Sequence, residues 1–328
     1  MDRDRRRVVR DLLLGAAGVA AGGTRARASG PAAGPSRGPV VARARRAGMV
    51  DAKGAVDPAK REDAAAAAVA RAVGERDAVE AMRRLFRPRD VVGIKVNCLG
   101  GRGMSPDPAL AAALAGWIVR AGVPAGNVVI FDMREPHLVK AGYTIERGGA
   151  GVRCIPVTDD FEKTPREWGG GGSCFARILV EDLTALINLG VLKDHDLAGV
   201  SVGLKNWYGV IHNPNKFHDG GCNPYVAKLA AFPLIRDKVR LTVVDAAVAQ
   251  CHGGPARSPR WAWPYGAVLA STDPVATDAF GWSVIEARRK EVGLEPLAAE
   301  NREPRFIAEA EKLGLGVADL ARIRVEDA

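Results

Sequence analysis

The sequence predicts an α/β fold, with a mostly parallel or mixed sheet covered by helices on both faces in a single main domain. Short runs rich in β-branched residues alternate with segments of helical periodicity from residue 88 onwards. Helices that lie between successive strands favour parallel pairing, because each crossover returns over a face of the sheet. The composition is that of a globular protein, with 47% hydrophobic and 26% charged residues among 328.

The elements follow one another in a regular order. Pro88 closes the first helix, and Asp107 and Asp273 each precede a proline as the N-cap of a later helix. Strands are predicted at 91–96, 128–131, 152–157, 176–180, 185–189, 200–204, 239–244 and 267–270. Helices are predicted at 62–86, Pro108–Arg120, 224–232, 304–313 and 317–321, and from Pro274 to about Val292.

Residues 1–28 have the layout of a twin-arginine signal peptide. Arg5 and Arg6 lie in a charged start, a short apolar run covers residues 12–22, and Ala-Arg-Ala at 26–28 fits a small-x-small cleavage site. The apolar run has roughly half of the about 20 residues that a spanning helix needs. We therefore expect export through the twin-arginine translocase to a periplasmic or extracytoplasmic location, with no membrane anchor in the mature form. A membrane anchor and a basic tail are the alternatives.

The basic charge is concentrated near the N-terminus. The formal net charge is +9, but residues 1–28 carry seven Arg and three Asp, and residues 29–60 carry six basic and two acidic residues. Residues 61–328 therefore carry only +1. Residues 29–60, rich in Gly, Pro, Ala and Arg, are predicted to be a linker, and residues 61–328 the folded domain. A nucleic-acid partner is not expected, because phosphate binding needs a basic face on the folded body.

Polar and titratable side chains recur where the predicted strands end. Ligands of open parallel sheets bind at the carboxyl ends of strands, so these side chains predict a shared pocket. The general polarity of loops is the alternative explanation. The catalytic candidates are Lys95, Lys193, His195, Lys205 and Asp245. The substrate-binding candidates are Asn97, Asp132, Arg134, Asn206 and Gly253.

The lysines suit an anionic substrate. Together with Arg134 they would hold a carboxylate or a phosphate. Lys95 and Lys205 adjoin apolar strand residues, and partial desolvation there lowers the pKa of a lysine. Proton transfer or Schiff-base chemistry would follow, whereas solvated surface charge is the alternative.

Histidine and cysteine residues cluster in the second half of the chain. Their imidazole and thiolate groups are the usual protein ligands of transition metals. No two of them have C-x-x-C or H-x-x-x-H spacing, so a transition metal or an iron–sulfur cluster would need ligands assembled by the fold. The candidate ligands are Cys98, His195, His218, Cys222 and His252. Free or disulfide-bonded cysteines in an oxidising compartment are the alternative.

Several segments together resemble the domain of unknown function 362 family, across about residues 88–325. The matching segments are Val-Gly-Ile-Lys-Val-Asn at 92–97, Ala-Gly-Tyr at 141–143, Leu-Lys-Asp-His at 192–195, Ala-Gly-Val at 198–200, Leu-Lys-Asn at 204–206, Asn-Pro-Asn-Lys at 213–216, His218 with Cys-Asn-Pro-Tyr at 222–225, Thr-Asp-Pro-Val-Ala-Thr-Asp at 272–278 and Leu-Gly-Leu-Gly at 313–316. The resemblance implies a shared fold and pocket and leaves the reaction open. Some members append a ferredoxin-type iron–sulfur module, whose closely spaced cysteines this chain lacks.

Two functions remain open from the sequence. The leading hypothesis is an exported enzyme that uses a metal or iron–sulfur centre on a small anionic substrate. The alternative is a non-catalytic periplasmic binding protein for an anion or a metal.

Overall fold

A computed structural model describes residues 38–158 and 160–328, and its main feature is a nine-stranded sheet. The strands are β1 (Val40–Arg45), β2 (Val92–Val96), β3 (Val128–Asp132), β4 (Arg153–Pro156), β5 (Arg166–Trp168), β6 (Gly171–Ser173), β7 (Ala185–His195), β8 (Gly199–Ser201), β9 (Val239–Gln250), β10 (Ala262–Ser271) and β11 (Arg324–Asp327).

The strand order is β11-β1-β10-β9-β7-β2-β3-β4, with β8 paired to β7, and β5 with β6 forms a separate hairpin. Strands β9, β7, β2, β3 and β4 run parallel to one another, whereas β10 is antiparallel to both β9 and β1, and β8 is antiparallel to β7. The predicted mostly parallel or mixed sheet is therefore confirmed.

Helices cover both faces of this sheet. They are α1 (Pro58–Val73), α2 (Ala78–Leu85), α3 (Pro108–Arg120), α4 (Glu135–Ala141), α5 (Arg177–Glu181), α6 (Tyr225–Ala230), α7 (Pro233–Arg236), α8 (Pro274–Glu291) and α9 (Phe306–Lys312). Helices α1–α4 pack on one face, against alternate residues such as Val92 and Ile94. Helices α5–α9 pack on the other face, against residues such as Phe131 and Leu186. This alternation follows from the two-residue period of a strand, and the described residues belong to one domain.

Helix ends follow the expected capping chemistry. Asp107 and Asp273 accept backbone N–H groups of Ala109 and Ala276, each at 2.8 Å, as predicted for N-caps. The predicted single helix 62–86 is instead two helices. Gly74 adopts φ +80° after α1, a conformation that favours glycine.

The predicted linker 29–60 is wrong from residue 40 onwards. Residues Val40–Arg45 form β1, which lies inside the sheet between β10 and β11, and α1 begins at Pro58. The linker was predicted from amino-acid composition, but Ala and Arg are poor indicators of a strand. The position of β1 is decided by the strands with which it pairs. The predicted signal at 1–28 and the linker residues up to 37 lie outside the described residues.

Three further short segments differ from prediction. Residues 176–180 are mostly helix α5, residues 200–204 contain only the end of β8, and residues 317–321 enter a 3-10 turn at Leu320–Arg322. Short apolar runs carry too few residues for periodicity to separate a helix from a strand. In the described part of the chain, no helix combines the length and the apolar character needed to cross a membrane.

Candidate functional site

A cleft of about 590 Å³ opens at the carboxyl ends of β2, β3 and β7. The 3-10 helix Leu204–Val210 and the loop that follows it form one wall. The predicted residues that line the cleft are Lys95, Asn97, Asp132, Arg134, His195, Lys205, Asn206 and His218. The fold therefore brings together eight of the predicted site residues, at the position expected for a parallel sheet.

The floor of the cleft is a saturated polar network around Lys95, which is 1% exposed. Its ammonium group donates to Asp132 Oδ1 at 2.6 Å, to Asn206 Oδ1 at 2.9 Å and to the Val96 carbonyl at 2.7 Å. Asp132 Oδ2 accepts the backbone N–H of Cys98 at 2.8 Å. Since all three protons of the ammonium group are used, Lys95 builds the floor and has no donor left for a ligand.

The wall is a 3-10 helix, in which residues three apart lie one above the other. Lys205 accordingly lies over the Tyr208 ring, with Nζ 4.3 Å from the ring centroid. Asn206 and Gly209 both face Lys95, and a Cβ at Gly209 would lie 2.6 Å from Lys95 Nζ. The absence of a side chain at Gly209 lets the wall approach the floor this closely.

Lys205 and His218 form the pair on which the chemistry of the cleft depends. Lys205 Nζ lies 3.1 Å from His218 Nε2. His218 Nδ1 lies 3.2 Å from the Pro214 carbonyl and 3.3 Å from the Asn215 carbonyl. Since carbonyl oxygens only accept, Nδ1 carries the proton, and Nε2 offers its lone pair to Lys205.

Burial alters the titration of this pair. Desolvation lowers the pKa of Lys205 to about 8, against the opposing effect of Cys222 and Asp196. Desolvation and the nearby Lys205 charge also lower the pKa of His218, so its ring is neutral at pH 7. Lys205 is 7% exposed and has no ion-pair partner among the described residues.

His195 supplies a second neutral ring, 5.9 Å from His218 between centroids. Its Nδ1 accepts backbone N–H groups of Leu197 and Ala198 at 3.2 and 3.3 Å, which leaves the proton on Nε2. Burial, and then the charge of Lys205, lower its pKa to about 2. The Asp196 carboxylate is 2.9 Å from the same Nδ1, but this contact is not an ion pair because that nitrogen carries no proton.

The rim contains residues that sequence reasoning did not select. They are His137, Thr158, Phe161, Tyr208, His212, Asn213 and Asn215. Phe161 and His212 pack edge to face with centroids 5.4 Å apart. For Tyr208 a signal was present, since it follows Lys205 by three residues, but using it required recognising a 3-10 helix directly after the strand predicted at 200–204.

Other predicted catalytic and substrate-binding residues lie away from the cleft lining. Lys193 is fully buried and donates to the carbonyls of Met104 at 3.2 Å and Pro255 at 3.1 Å, and burial lowers its pKa to about 8. Asp245 lies 3.5 Å from Arg61 of α1, and burial raises its pKa. Gly253 lies in the loop after β9 with φ +81°. The sequence predicted β7 and β9 to end at 189 and 244, but both continue, so Lys193 and Asp245 lie within strands.

The five predicted metal ligands do not form one centre. Cys98 is buried behind Asp132, Cys222 lies beside Tyr208, and His252 packs against Trp261 with centroids 5.3 Å apart. Only His195 and His218 line the cleft. Among the described residues, no three His, Cys, Asp or Glu side chains are grouped to hold a metal ion. All five cysteines are free thiols, and burial raises the pKa of both Cys98 and Cys222.

Comparison with known families agrees with the motifs that surround the cleft. The model of a family described as "Domain of unknown function (DUF362)" matches residues 92–283. The chain belongs to the DUF362 family. The matched region contains every described residue that lines the cleft, whereas β1, α1, α2, α9 and β11 of this DUF362 chain lie outside it.

Other comparisons add little. No curated protein matches this DUF362 chain. A crystal structure of a Thermotoga maritima protein, a target of the Northeast Structural Genomics Consortium, is similar with a TM-score of 0.43 and 11% identity. The similarity covers 73% of this chain and 60% of that protein.

Proposed function

We propose that the cleft binds a small anionic substrate and that Lys205 transfers a proton to or from it. The observation that carries this proposal is the Lys205–His218 contact of 3.1 Å, buried at the cleft and without a carboxylate partner in the described part of the chain. A buried cation without a counter-ion favours an anion as its partner.

The charges around the cleft support an anionic ligand. Asp132 is the one acidic residue among the described lining residues, and it is bonded to Lys95. Lys205 and the exposed Arg134 at the rim therefore leave the cleft with a positive excess. A carboxylate or phosphate group bound in the cleft would offset part or all of this positive excess.

Proton transfer follows from the state of Lys205. Because its pKa is lowered to about 8, both the amine and the ammonium form are available near neutral pH. The amine accepts a proton from the bound substrate, and the resulting ammonium returns it, so the cycle needs no other reactant. His218 Nε2 accepts a hydrogen bond from either form and holds the amine in place.

Binding is tested with inorganic phosphate and with acetate by isothermal titration calorimetry. We expect Lys205→Met to weaken binding at least about tenfold, since a charge-assisted contact contributes about 1.5–3 kcal/mol. Lys216→Met is the matched control, because Lys216 is exposed on the same wall segment and does not line the cleft. Equal affinities for the two variants would contradict the proposal.

Catalysis is tested on small carboxylates and phosphate esters that raise the melting temperature of the protein. Each binder is incubated with the protein in D₂O, and loss of its C–H proton signal by NMR reports proton transfer. We expect exchange with the wild type and none with Lys205→Met at saturating ligand. Binding without exchange in the wild type would instead support a non-catalytic binding protein.

We further propose that residues 1–28 direct export through the twin-arginine translocase. The support is the sequence alone: Arg5-Arg6, a short apolar run and an Ala-Arg-Ala site. Replacing Arg5 and Arg6 by lysine should retain the full-length chain in the cytoplasm of a bacterial host with this translocase. Cell fractionation measures this, and unchanged export of the double variant would contradict it.

A further inference from the structure

We propose that Asp278 is a positioning residue that fixes the wall of the cleft so that Lys205 is held against His218. Asp278 lies in α8, on the same face of the sheet as the 3-10 helix Leu204–Val210. Its side chain does not line the cleft, so it acts through the backbone before Lys205. The effect of Asp278 on proton transfer by Lys205 rests on the proposed function. Its effect on the position of the wall rests on hydrogen bonds alone.

The carboxylate of Asp278 is fully buried and bonds to the start of that helix. Its Oδ1 accepts the backbone N–H of Gly203 at 2.8 Å and that of Leu204 at 3.1 Å, and Oδ2 lies 3.2 Å from the Leu204 nitrogen. Lys205 is the next residue along the chain. In the described part of the chain, Asp278 has no ion-pair partner, so these N–H groups are what stabilise its charge.

The same peptide is held from its other side. The Gly203 carbonyl accepts a hydrogen bond from Asn188 Nδ2 at 2.9 Å, and Asn188 Oδ1 accepts one from Asn206 Nδ2 at 2.8 Å. A Cβ at Gly203 would lie 2.9 Å from Asp278 Oδ1, so glycine permits this close approach. Asp278 and Asn188 thus fix the backbone on both sides of the turn that leads into Lys205.

Filling space in the core would not require a hydrogen-bond acceptor at this place. Burial raises the pKa of Asp278 to about 7, which shows how poorly this site solvates a charge. An apolar side chain would pack there without that cost, but it would leave the N–H groups of Gly203 and Leu204 unpaired. Two acceptor atoms aimed at consecutive N–H groups indicate that the position of this backbone is what Asp278 provides.

The test measures the reactivity of the Lys205 amine, which needs no substrate. The protein is pulsed with acetic anhydride from pH 6 to 11, and acetylation at Lys205 is quantified by peptide mass spectrometry. We expect a midpoint near pH 8 in the wild type. In Asp278→Ala the wall should relax toward solvent and the midpoint should rise by about two pH units, toward that of a free lysine.

Two variants show whether the effect is specific. Asp278→Asn keeps an amide oxygen that accepts the same N–H groups, so its midpoint should stay within about half a pH unit of the wild type. Asp273→Ala removes the N-cap of the same helix α8, whose carboxylate accepts the N–H groups of Ala276 and Val317 rather than those of the wall, and should leave the midpoint unchanged. A wild-type midpoint in Asp278→Ala overturns the positioning role, as does a shift of equal size in Asp273→Ala.

A measurement on the wild type covers the case in which Asp278→Ala does not fold. The backbone amides of Gly203 and Leu204 should exchange with D₂O at least about 100-fold more slowly than exposed loop amides, because a buried acceptor protects them. Exchange at the rate of exposed loops overturns the inference. A wild-type Lys205 midpoint near 10.5 contradicts the proposed function instead, so the two failures are distinguishable.

Discussion

The floor and the wall of the cleft each contain a buried lysine, and the two lysines are held in opposite ways. On the floor, Lys95 donates to a carboxylate, an amide oxygen and a carbonyl, all within 2.9 Å. On the wall, Lys205 contacts the ring nitrogen of His218 and the face of Tyr208, and no carboxylate in the described part of the chain.

This difference separates structural from chemical roles. A lysine whose three donors are bonded and whose charge is paired is costly to remove and has no donor left for a ligand. A lysine that is buried without a counter-ion is held at a cost and has a lowered pKa, which makes it available to a substrate. The comparison predicts that removing the floor lysine changes stability and that removing the wall lysine changes chemistry.

The largest stability effect is expected on the floor. Lys95→Met should lower the free energy of unfolding by about 3–5 kcal/mol, because it leaves the buried Asp132 charge unpaired. Lys205→Met should leave the unfolding free energy at pH 7 unchanged or higher, since no carboxylate among residues 38–158 and 160–328 loses an ion-pair partner. Urea denaturation at pH 7 measures both. The contrast between floor and wall breaks down if the two variants lose equal stability.

The next effect is a pH dependence that belongs to the wall. The pKa of Lys205 is about 8 in the folded protein, against 10.5 for a lysine in water. Between pH 8 and pH 10.5 the unfolded chain binds more protons than the folded chain, so the contribution of this lysine to the free energy of unfolding rises with pH. Its destabilising effect is complete below pH 8 and has disappeared by pH 10.5. The rise approaches about 1.4 kcal/mol per pH unit at most.

Lys193 has a pKa lowered to about 8 by the same cause and acts in the same direction. Lys205→Met and Lys193→Met should therefore each reduce the rise in stability between pH 8 and 10.5, in urea denaturation repeated at half-unit steps. Lys216→Met is the control, because its side chain is exposed. Slopes for the Lys205 variant that equal those of the wild type would show that this lysine is not desolvated.

The smallest effect tests the contact between floor and wall. Gly209→Ala should destabilise by about 1–3 kcal/mol, because the added methyl group would meet Lys95 Nζ and force the wall outwards. Gly116→Ala in α3 is the control, since nothing lies within 4 Å of its added Cβ. Alanine in that helix should stabilise by about 0.5–1 kcal/mol. Thermal unfolding of both variants measures the difference, and a neutral Gly209→Ala would mean that the wall does not rest on the floor.

Sequence patterns predicted the parts of the fold that depend on local chemistry. The starts of α3 and α8 could be predicted from their Asp-Pro pairs, because an N-cap and the residue after it are neighbours in the chain. The parallel strands β2, β3 and β7 could be predicted from runs of β-branched residues. Strand β1 could not, because its position depends on pairing with β10 and β11, more than 200 residues away.

By itself, the sequence determined the α/β class, the family motifs and the edge of the sheet where eight predicted site residues lie together. Only the tertiary structure decided which lysine lies against a carboxylate and which against an imidazole, because Lys95 and Asp132 come from different strands and Lys205 and His218 from different parts of one wall. It also decided that Cys98, Cys222 and His252 are separated. Charge state and ligand grouping depend on desolvation and on distances between remote segments, and neither property is encoded in the local order of residues.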